Sequence, residues 1–148
     1  GIVVGSTSAC LSLVHGETLP SEYVPTRPFR INAGAVHSYV VMADKSTKYL
    51  SELESGDRVS VFSVDGSIRE STIGRLKIER RPLLKISFKS EDYSGHVMVQ
   101  QAETVRMILS DSTPISVTEI SQDDEIIVVT EKSMRHLGKA VIGEVREL

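Results

Sequence analysis

The sequence predicts a mainly β protein, a pseudo-duplicated antiparallel β-barrel or sandwich with a few short helical turns. Apolar and polar residues alternate along several short segments, as they do in strands with one wet face. Residues 50–61 recur in similar form at 117–128. No stretch keeps the spacing of an amphipathic helix over three turns. The length of 148 residues fits one domain, or two small lobes that share a core.

The strands can be placed in chain order. Alternating segments lie at 59–61, 84–89, 96–100 and 115–118. Asp65-Gly66 is typical of a hairpin turn after the first of them. The run at 126–129 is apolar on both faces and predicts a central strand that is covered on both sides. Short helical turns are expected near 51–53 and 118–120.

The recurring segment indicates an internal duplication. Residues 50–61 match 117–128 at an offset of 67, and 73–76 resemble 142–145 at an offset of 69. Two acidic pairs are kept, Glu52 with Glu119 and Asp57 with Asp124. Two units that pair their apolar faces would form a pseudo-symmetric barrel or sandwich. The alternative is coincidence, because this pattern is a common entry to a strand.

The duplication and the first residues suggest a domain division. We expect an N-terminal β segment at 1–45 and a pseudo-duplicated β domain at 46–148, with units at about 46–110 and 111–148. The chain starts with Gly1 and enters an apolar run without the basic stretch of a secretory signal. We therefore expect it to start inside a larger protein, with 1–45 continuing a missing N-terminal domain.

Composition excludes several classes of protein. Apolar residues make up 40% and charged residues 25%, as in a folded domain rather than a disordered chain. Seventeen basic and 20 acidic residues give a net charge of −3, which argues against a dedicated nucleic-acid binder. No run approaches the ~18 apolar residues of a membrane-spanning helix. The single cysteine, Cys10, excludes an internal disulfide and suits a reducing compartment.

Charge is unevenly distributed along the chain. Basic residues dominate 69–89, whereas 111–131 holds acidic residues and no basic one. The simpler interpretation is that these are solvated strand faces. The alternative is that some of the arginines bind an anionic ligand.

The first 37 residues carry more polar chemistry than a structural β domain needs. Arginine forks suit a carboxylate or phosphate, and histidines titrate near neutral pH. Ala33-Gly34-Ala35 lets the backbone approach another segment or a ligand closely. The alternative is that the arginines pair with Glu17 or Glu22 and the histidines satisfy buried carbonyls. The candidate site residues are His15, Glu17, Arg27, Arg30, Asn32 and His37.

Standard cofactor and metal motifs are absent from the sequence. No pair of histidines has the i, i+4 spacing of helical metal ligands, so no metal site is expected. Neither G-x-G-x-x-G after a strand nor G-x-x-x-x-G-K-[ST] occurs, and there is no G-x-S-x-G elbow. Residue spacing therefore predicts a polar cluster on a β domain but no particular reaction.

The chain resembles the archaeal type of 3-dehydroquinate synthase, 3-dehydroquinate synthase II, along nearly its whole length. Gln100-Gln101 and Leu137 are small departures from that family's pattern. The blocks that carry the resemblance are VHGET at 14–18, RPFRINAGAVH at 27–37, YLSEL at 49–53, GRLKIERRPL at 74–83, QAETVR at 101–106 and RHLG at 135–138.

This resemblance implies a reaction and a larger protein. The family is more than twice this long, so the chain would be its C-terminal portion. Its members carry out the NAD-dependent oxidative deamination and cyclisation of 2-amino-3,7-dideoxy-D-threo-hept-6-ulosonate to 3-dehydroquinate, in aromatic amino-acid biosynthesis. The resemblance also implies a cytoplasmic enzyme and leaves a homo-oligomer open. Because the chain lacks a dinucleotide fingerprint, NAD is expected to contact the missing part or the junction, and the chain alone is expected to be inactive.

The reaction suggests roles for the candidate residues. Arg27 or Arg30 would hold the substrate carboxylate. His15 or His37, oriented by Glu17, would take the proton of the amine. Asn32 or His37 would donate a hydrogen bond to the developing oxyanion.

Two other classes of function compete with this one. The first is a non-catalytic β-barrel module for interaction or oligomerisation, in which the polar cluster only packs against another domain or subunit. The second is an RNA-contacting barrel built on the basic stretch at 69–89. Aromatic residues at 5%, the absence of Trp and the negative charge disfavour stacking-based RNA binding.

Overall fold

Short antiparallel strands are the main secondary structure of the protein. The computed structural model describes residues 1–7, 9–16, 30–130 and 137–148. Within those ranges no helix is long and apolar enough to cross a membrane. The strands are β1 Ile2–Gly5, β2 Cys10–Val14, β3 Tyr39–Val41, β4 Thr47–Tyr49, β5 Arg58–Phe62, β6 Ile68–Thr72, β7 Leu83–Lys89, β8 Ser94–Gln100, β9 Arg106–Ile108, β10 Pro114–Ser116, β11 Glu125–Thr130 and β12 Gly138–Glu147.

Ten of the strands form one antiparallel sheet. Its order is β4-β3-β1-β2-β11-β12-β7-β8, and the β9–β10 hairpin joins it through β2. Strands β5 and β6 form a separate hairpin. The mainly β fold class is confirmed, but the strands of the described residues do not close into a barrel. The outer edge of β8 is met by non-strand residues instead, because Ser6 and Ala35 donate backbone hydrogen bonds to His96 and Met98.

The core lies on both faces of the central strands. All residues of β1 and β2 are buried, as are five of the six in β11. The predicted central strand at 126–129 is thus confirmed. One face packs Val4, Ile86, Met107 and Ile126 together, and the other face packs a smaller apolar cluster around Leu11. Each fully buried aliphatic side chain contributes about 1.5–3 kcal/mol through removal of apolar surface from water.

The two repeats share their backbone hydrogen bonds. Met42 N–H donates to the Ser46 carbonyl at 2.8 Å, and Leu109 N–H donates to the Thr113 carbonyl at the same distance. The turn residues between them have matching positive φ angles, 72° at Lys45 and 73° at Ser112. Coincidence of sequence does not produce such agreement, so the repeat is structural as well.

Strand pairing in the two repeats follows the same register. In β5–β6, Val59 pairs with Ser71, and in β11–β12 Ile126 pairs with Ala140. Equivalent turns begin as early as Ser38 and Val105, whose N–H groups donate to Ala35 and Ala102. The matching geometry therefore starts upstream of the predicted unit boundaries at 46 and 111. The division into 1–45 and 46–148 stays a prediction.

The expected helical turns differ between the repeats. Leu50–Glu52 forms one turn of 3-10 helix, in which the Glu52 carboxylate accepts a hydrogen bond from the Tyr49 N–H at 2.9 Å. The equivalent stretch at 117–119 is a hydrogen-bonded turn without helix. The strand expected at 115–118 ends at Ser116 for the same reason.

Candidate functional site

His15 and Arg106, distant in sequence, meet at one end of the sheet. His15 directly follows β2, and Arg106 is the first residue of β9. Val14 pairs with Met107 across these strands. The His15 N–H donates to the Arg106 carbonyl at 2.9 Å, which continues that pairing. The pairing of β2 with β9 thus places an imidazole beside a guanidinium.

The environment of His15 favours its neutral form. Burial lowers the pKa of the imidazole, and positive charges, that of Arg106 among them, lower it further. The Gly16 carbonyl lies 2.5 Å from Nδ1 and acts in the opposite direction. Because a carbonyl only accepts, this contact places a proton on Nδ1 and leaves Nε2 as the acceptor. A neutral His15 is therefore set up to take a proton at Nε2.

Arg106 presents an unsatisfied donor. Its Nη1 is buried and has no hydrogen-bond partner in the part of the chain that the structure describes. Its neighbours Val105 and Met107 are buried in the core. Leaving a charged donor unpaired in such a place is costly, and a carboxylate or phosphate oxygen would satisfy it. The pair formed by His15 and Arg106 thus combines a proton acceptor with a place for an anion.

A second group of polar residues runs along the outer edge of β8. Asn32 Nδ2 donates to Gln100 Oε1 at 2.6 Å, and the Ala35 N–H donates to the Met98 carbonyl at 2.8 Å. Gly34 makes this approach feasible, because its φ is +97° and an added Cβ would lie 2.4 Å from the Met98 oxygen. The close backbone approach expected from Ala33-Gly34-Ala35 is thus made to β8.

His37 lies in the turn that follows the segment covering β8. The His37 side chain is exposed. The pKa of His96 is lowered first by burial, then by the charge of Lys85 and last by the charge of His37. Asn32 contacts Gln100 at one end of β8, and the sharing of one substrate by Asn32 and His37 stays a prediction.

The structure gives less information about the other three candidate residues, Arg30, Glu17 and Arg27. Arg30 is exposed at the start of the segment that covers β8. Glu17 and Arg27 lie outside the described residues. Two surface cavities, of about 550 and 410 Å³, lie around the Gly143 bulge, and none of the four candidates that the structure describes lines either of them. In the described ranges, no three His, Cys, Asp or Glu side chains gather closely enough to share a metal ion.

The comparisons with known proteins identify the family. The model of the 3-dehydroquinate synthase II C-terminal domain matches residues 1–148. The chain belongs to this family. It is 44% identical over 144 residues to the 3-dehydroquinate synthase of Methanocaldococcus jannaschii, covering 95% of this chain and 39% of that relative.

Two further relatives agree. The 3-dehydroquinate synthase of Methanothermobacter thermautotrophicus is 45% identical over 141 residues, which cover 95% of this chain and 38% of the relative. That of Methanosphaera stadtmanae is 44% identical over 147 residues, covering 99% and 41%. The chain thus spans about two fifths of the length of the curated relatives it matches.

Sequence reasoning missed Arg106 in this 3-dehydroquinate synthase II C-terminal domain. The residue ends the QAETVR block that carries the family resemblance, and it stands between two apolar residues at the start of a strand. A charged residue flanked by core positions was the available signal. No local pattern could show that Arg106 neighbours His15, because only the pairing of β2 with β9 brings the two residues together.

Proposed function

We propose that this chain is the C-terminal domain of an NAD-dependent 3-dehydroquinate synthase and that His15 and Arg106 contact its substrate. The substrate would be the amino-heptulosonate that the family resemblance implies, and the enzyme would be cytoplasmic. The observation that carries the proposal is the buried Nη1 of Arg106, which has no hydrogen-bond partner among the described residues and lies beside a histidine whose lowered pKa favours the neutral form. The family match and the names of the relatives support the reaction.

Arg106 would bind the carboxylate at the first carbon of the substrate. A carboxylate oxygen would supply the acceptor that Nη1 lacks and would bring the neighbouring amine-bearing carbon towards His15. Arg106 thereby takes the anchoring role that the sequence suggested for Arg27 or Arg30. Either arginine remains available for another part of the substrate.

His15 would act as the general base. The amine must lose a proton before its carbon can be oxidised, and Nε2 of a neutral imidazole can accept that proton. Oxidation leaves an imine, which water would hydrolyse to a new ketone and ammonia. Ring closure then needs a proton taken from the carbon beside the original ketone, which attacks the new ketone carbon, and a proton given to the oxygen that becomes the hydroxyl. A histidine that exchanges protons near neutral pH suits both steps. Asn32 and His37 stay candidates for donors to that oxygen.

The described residues do not fit NAD. A dinucleotide diphosphate is typically bound by a glycine-rich turn at the start of a helix, whereas the one helix of the described ranges is the three-residue turn Leu50–Glu52. We derive no step through the cofactor and place its contacts outside these residues. The chain alone is accordingly expected not to reduce NAD.

Variants of the full-length enzyme test the proposal. Arg106→Gln should lower kcat/KM by roughly 10- to 100-fold, because a charge-assisted hydrogen bond is lost. The kcat/KM of Arg106→Lys should lie between those of the wild type and Arg106→Gln, since lysine keeps the charge but lacks the forked guanidinium. His15→Gln should lower kcat by about 10²–10⁴-fold. The matched control is Arg146→Gln, which changes an exposed arginine of β12 and should leave both parameters unchanged.

Two outcomes would count against these assignments. Normal turnover in both His15→Gln and Arg106→Gln would remove the pair from the reaction. If Arg30→Gln and His37→Gln were the inactive variants instead, the original candidates would be the correct ones. The non-catalytic interpretation would be correct if the full-length protein formed no 3-dehydroquinate from the amino-heptulosonate and NAD.

A further inference from the structure

The first repeat contains a segment whose counterpart in the second repeat is a paired strand. Ile73 and Ile142 are equivalent, and both are fixed by the same two backbone hydrogen bonds. The Ile73 N–H donates to the Asp57 carbonyl at 2.8 Å, and the Ile142 N–H donates to the Asp124 carbonyl at 2.7 Å. In return their carbonyls accept from Gly56 and Asp123, each at 2.8 Å. Up to this point the repeats coincide.

Beyond this point the repeats diverge. Strand β12 continues to Glu147 and pairs with β7 from Val141 to Glu147, with a bulge between Ile142 and Glu144. In the first repeat, residues 73–82 form no strand, helix or turn. Residues 74–81 make no backbone-to-backbone hydrogen bond with any other described residue. Among the described residues, no strand of the first repeat therefore fills the place that β7 takes in the second.

The apolar side chains of this segment are left exposed. Ile78 is 72% exposed and Leu76 is 44% exposed, whereas Val145, the counterpart of Leu76 in the second repeat, is partly buried against the core. Residues two apart lie on the same face of a strand, so Leu76 and Ile78 would form one apolar face. Arg75, Lys77 and Arg80 are of the type that protects an open strand edge from pairing, but they leave the aliphatic face of Leu76 and Ile78 exposed. Their exposure indicates a covering element.

We propose that residues 73–80, the open edge of the first repeat, pair with an antiparallel strand from the part of the polypeptide that lies outside this chain. That strand would occupy the place of β7 and cover Leu76 and Ile78. The relatives support this source, because the matched chain covers only 39% and 38% of their lengths, so most of each polypeptide is available to supply the strand.

Charge argues against a second copy of the same edge as the partner. The open edge holds three basic residues and one acidic residue, Arg75, Lys77, Arg80 and Glu79. Glu79 already contacts Lys77 at 2.6 Å and Arg81 at 3.0 Å. Two such edges would place like charges opposite one another, which destabilises a strand pair. The partner strand is therefore expected to be acidic on its polar face and apolar on the other.

Hydrogen exchange measured residue by residue provides the test. The amides of residues 74–80 should exchange rapidly in the 148-residue chain and at least ~10-fold more slowly in the full-length protein, because pairing protects amides from solvent. The turn at 65–67, which the proposal leaves exposed, should exchange equally in both. Equal exchange of residues 74–80 in the two proteins would overturn the proposal.

Substitutions on the apolar face give a second readout. Leu76→Asp and Ile78→Asp should each lower the melting temperature of the full-length protein and leave that of the 148-residue chain unchanged. Val64→Asp is the matched control, since Val64 is 47% exposed in the β5–β6 turn and should tolerate the change in both proteins. A 148-residue chain that dimerises, with concentration-dependent protection of residues 74–80, would show that a second copy is the partner and would refute the proposed one.

Discussion

Asp57 and Asp124 occupy the same position in the two repeats, and each carboxylate accepts a hydrogen bond of 2.9 Å from the backbone N–H three residues earlier. The donors are Glu54 and Ser121, and their carbonyls accept from the backbone N–H of the two aspartates. Such a turn satisfies backbone groups just before a strand begins. The two aspartates are thus kept for the same structural reason.

Removing either carboxylate should destabilise the domain. Asp57→Ala and Asp124→Ala each lose the acceptor for one turn N–H, at a cost of about 1 kcal/mol. Asp→Asn at the same positions should cost less, because the amide oxygen still accepts. Urea unfolding of the 148-residue chain measures these differences. Equal losses for the Ala and Asn variants would show that the hydrogen bond is not the cause.

Gly56 should tolerate substitution less well than Gly74. Neither has another atom within 4 Å of an added Cβ, but Gly56 has a φ of +96°. Gly56→Ala is expected to lose about 1 kcal/mol of unfolding free energy through left-handed strain. Gly74→Ala is the matched control and should be neutral or slightly stabilising in the 148-residue chain. If the two variants melt alike, backbone conformation does not decide the effect.

The domain should lose stability as the pH falls below about 6.5. Burial lowers the pKa of both His15 and His96 below the ordinary value of 6.5. The unfolded chain therefore takes up protons on these residues before the folded chain does, so acidification favours unfolding through this window. Comparing urea unfolding at pH 7.5 and pH 5.5 checks the sign.

Variants assign this pH dependence to its source. His15→Gln and His96→Gln should each reduce the difference in unfolding free energy between the two pH values, and the double variant should reduce it most. Hydrogen bonds from nearby Ser or Thr side chains lower the pKa of Asp44, Asp65 and Asp111 below 3.8, so these carboxylates act at lower pH. An unchanged slope in the double variant would contradict the assignment.

Cys10 should be inert in the folded protein. It is fully buried in β2, and burial raises the pKa of its thiol to about 11. A thiol reagent at pH 8 should react only as fast as the domain unfolds, because the thiolate is the reactive form. Cys10→Ser should cost more stability than Cys10→Ala, since the hydroxyl needs a partner in an apolar site. Rapid labelling of the native chain would refute this.

Much of the fold was predictable, whereas the site was predictable only in part. The alternation of apolar and polar residues predicted β7 and β8, and the recurring sequence segments indicated that the two repeats share their turns. Both patterns are local properties of the chain. His15 was named as a candidate, but its neighbour Arg106 was not. Asn32 was also named, and the structure places its amide against Gln100 of β8.

The order of residues alone determined the mainly β class, the internal repeat and the family to which the chain belongs. These follow from short-range periodicity and from blocks of contiguous residues. For the residues that it describes, the tertiary structure decided that the strands do not close into a barrel, that the Nη1 of Arg106 beside His15 has no partner, and that no strand pairs with residues 74–81. Such features depend on which strands pair across long separations in sequence, and the burial that results is a property of the folded chain rather than of any segment.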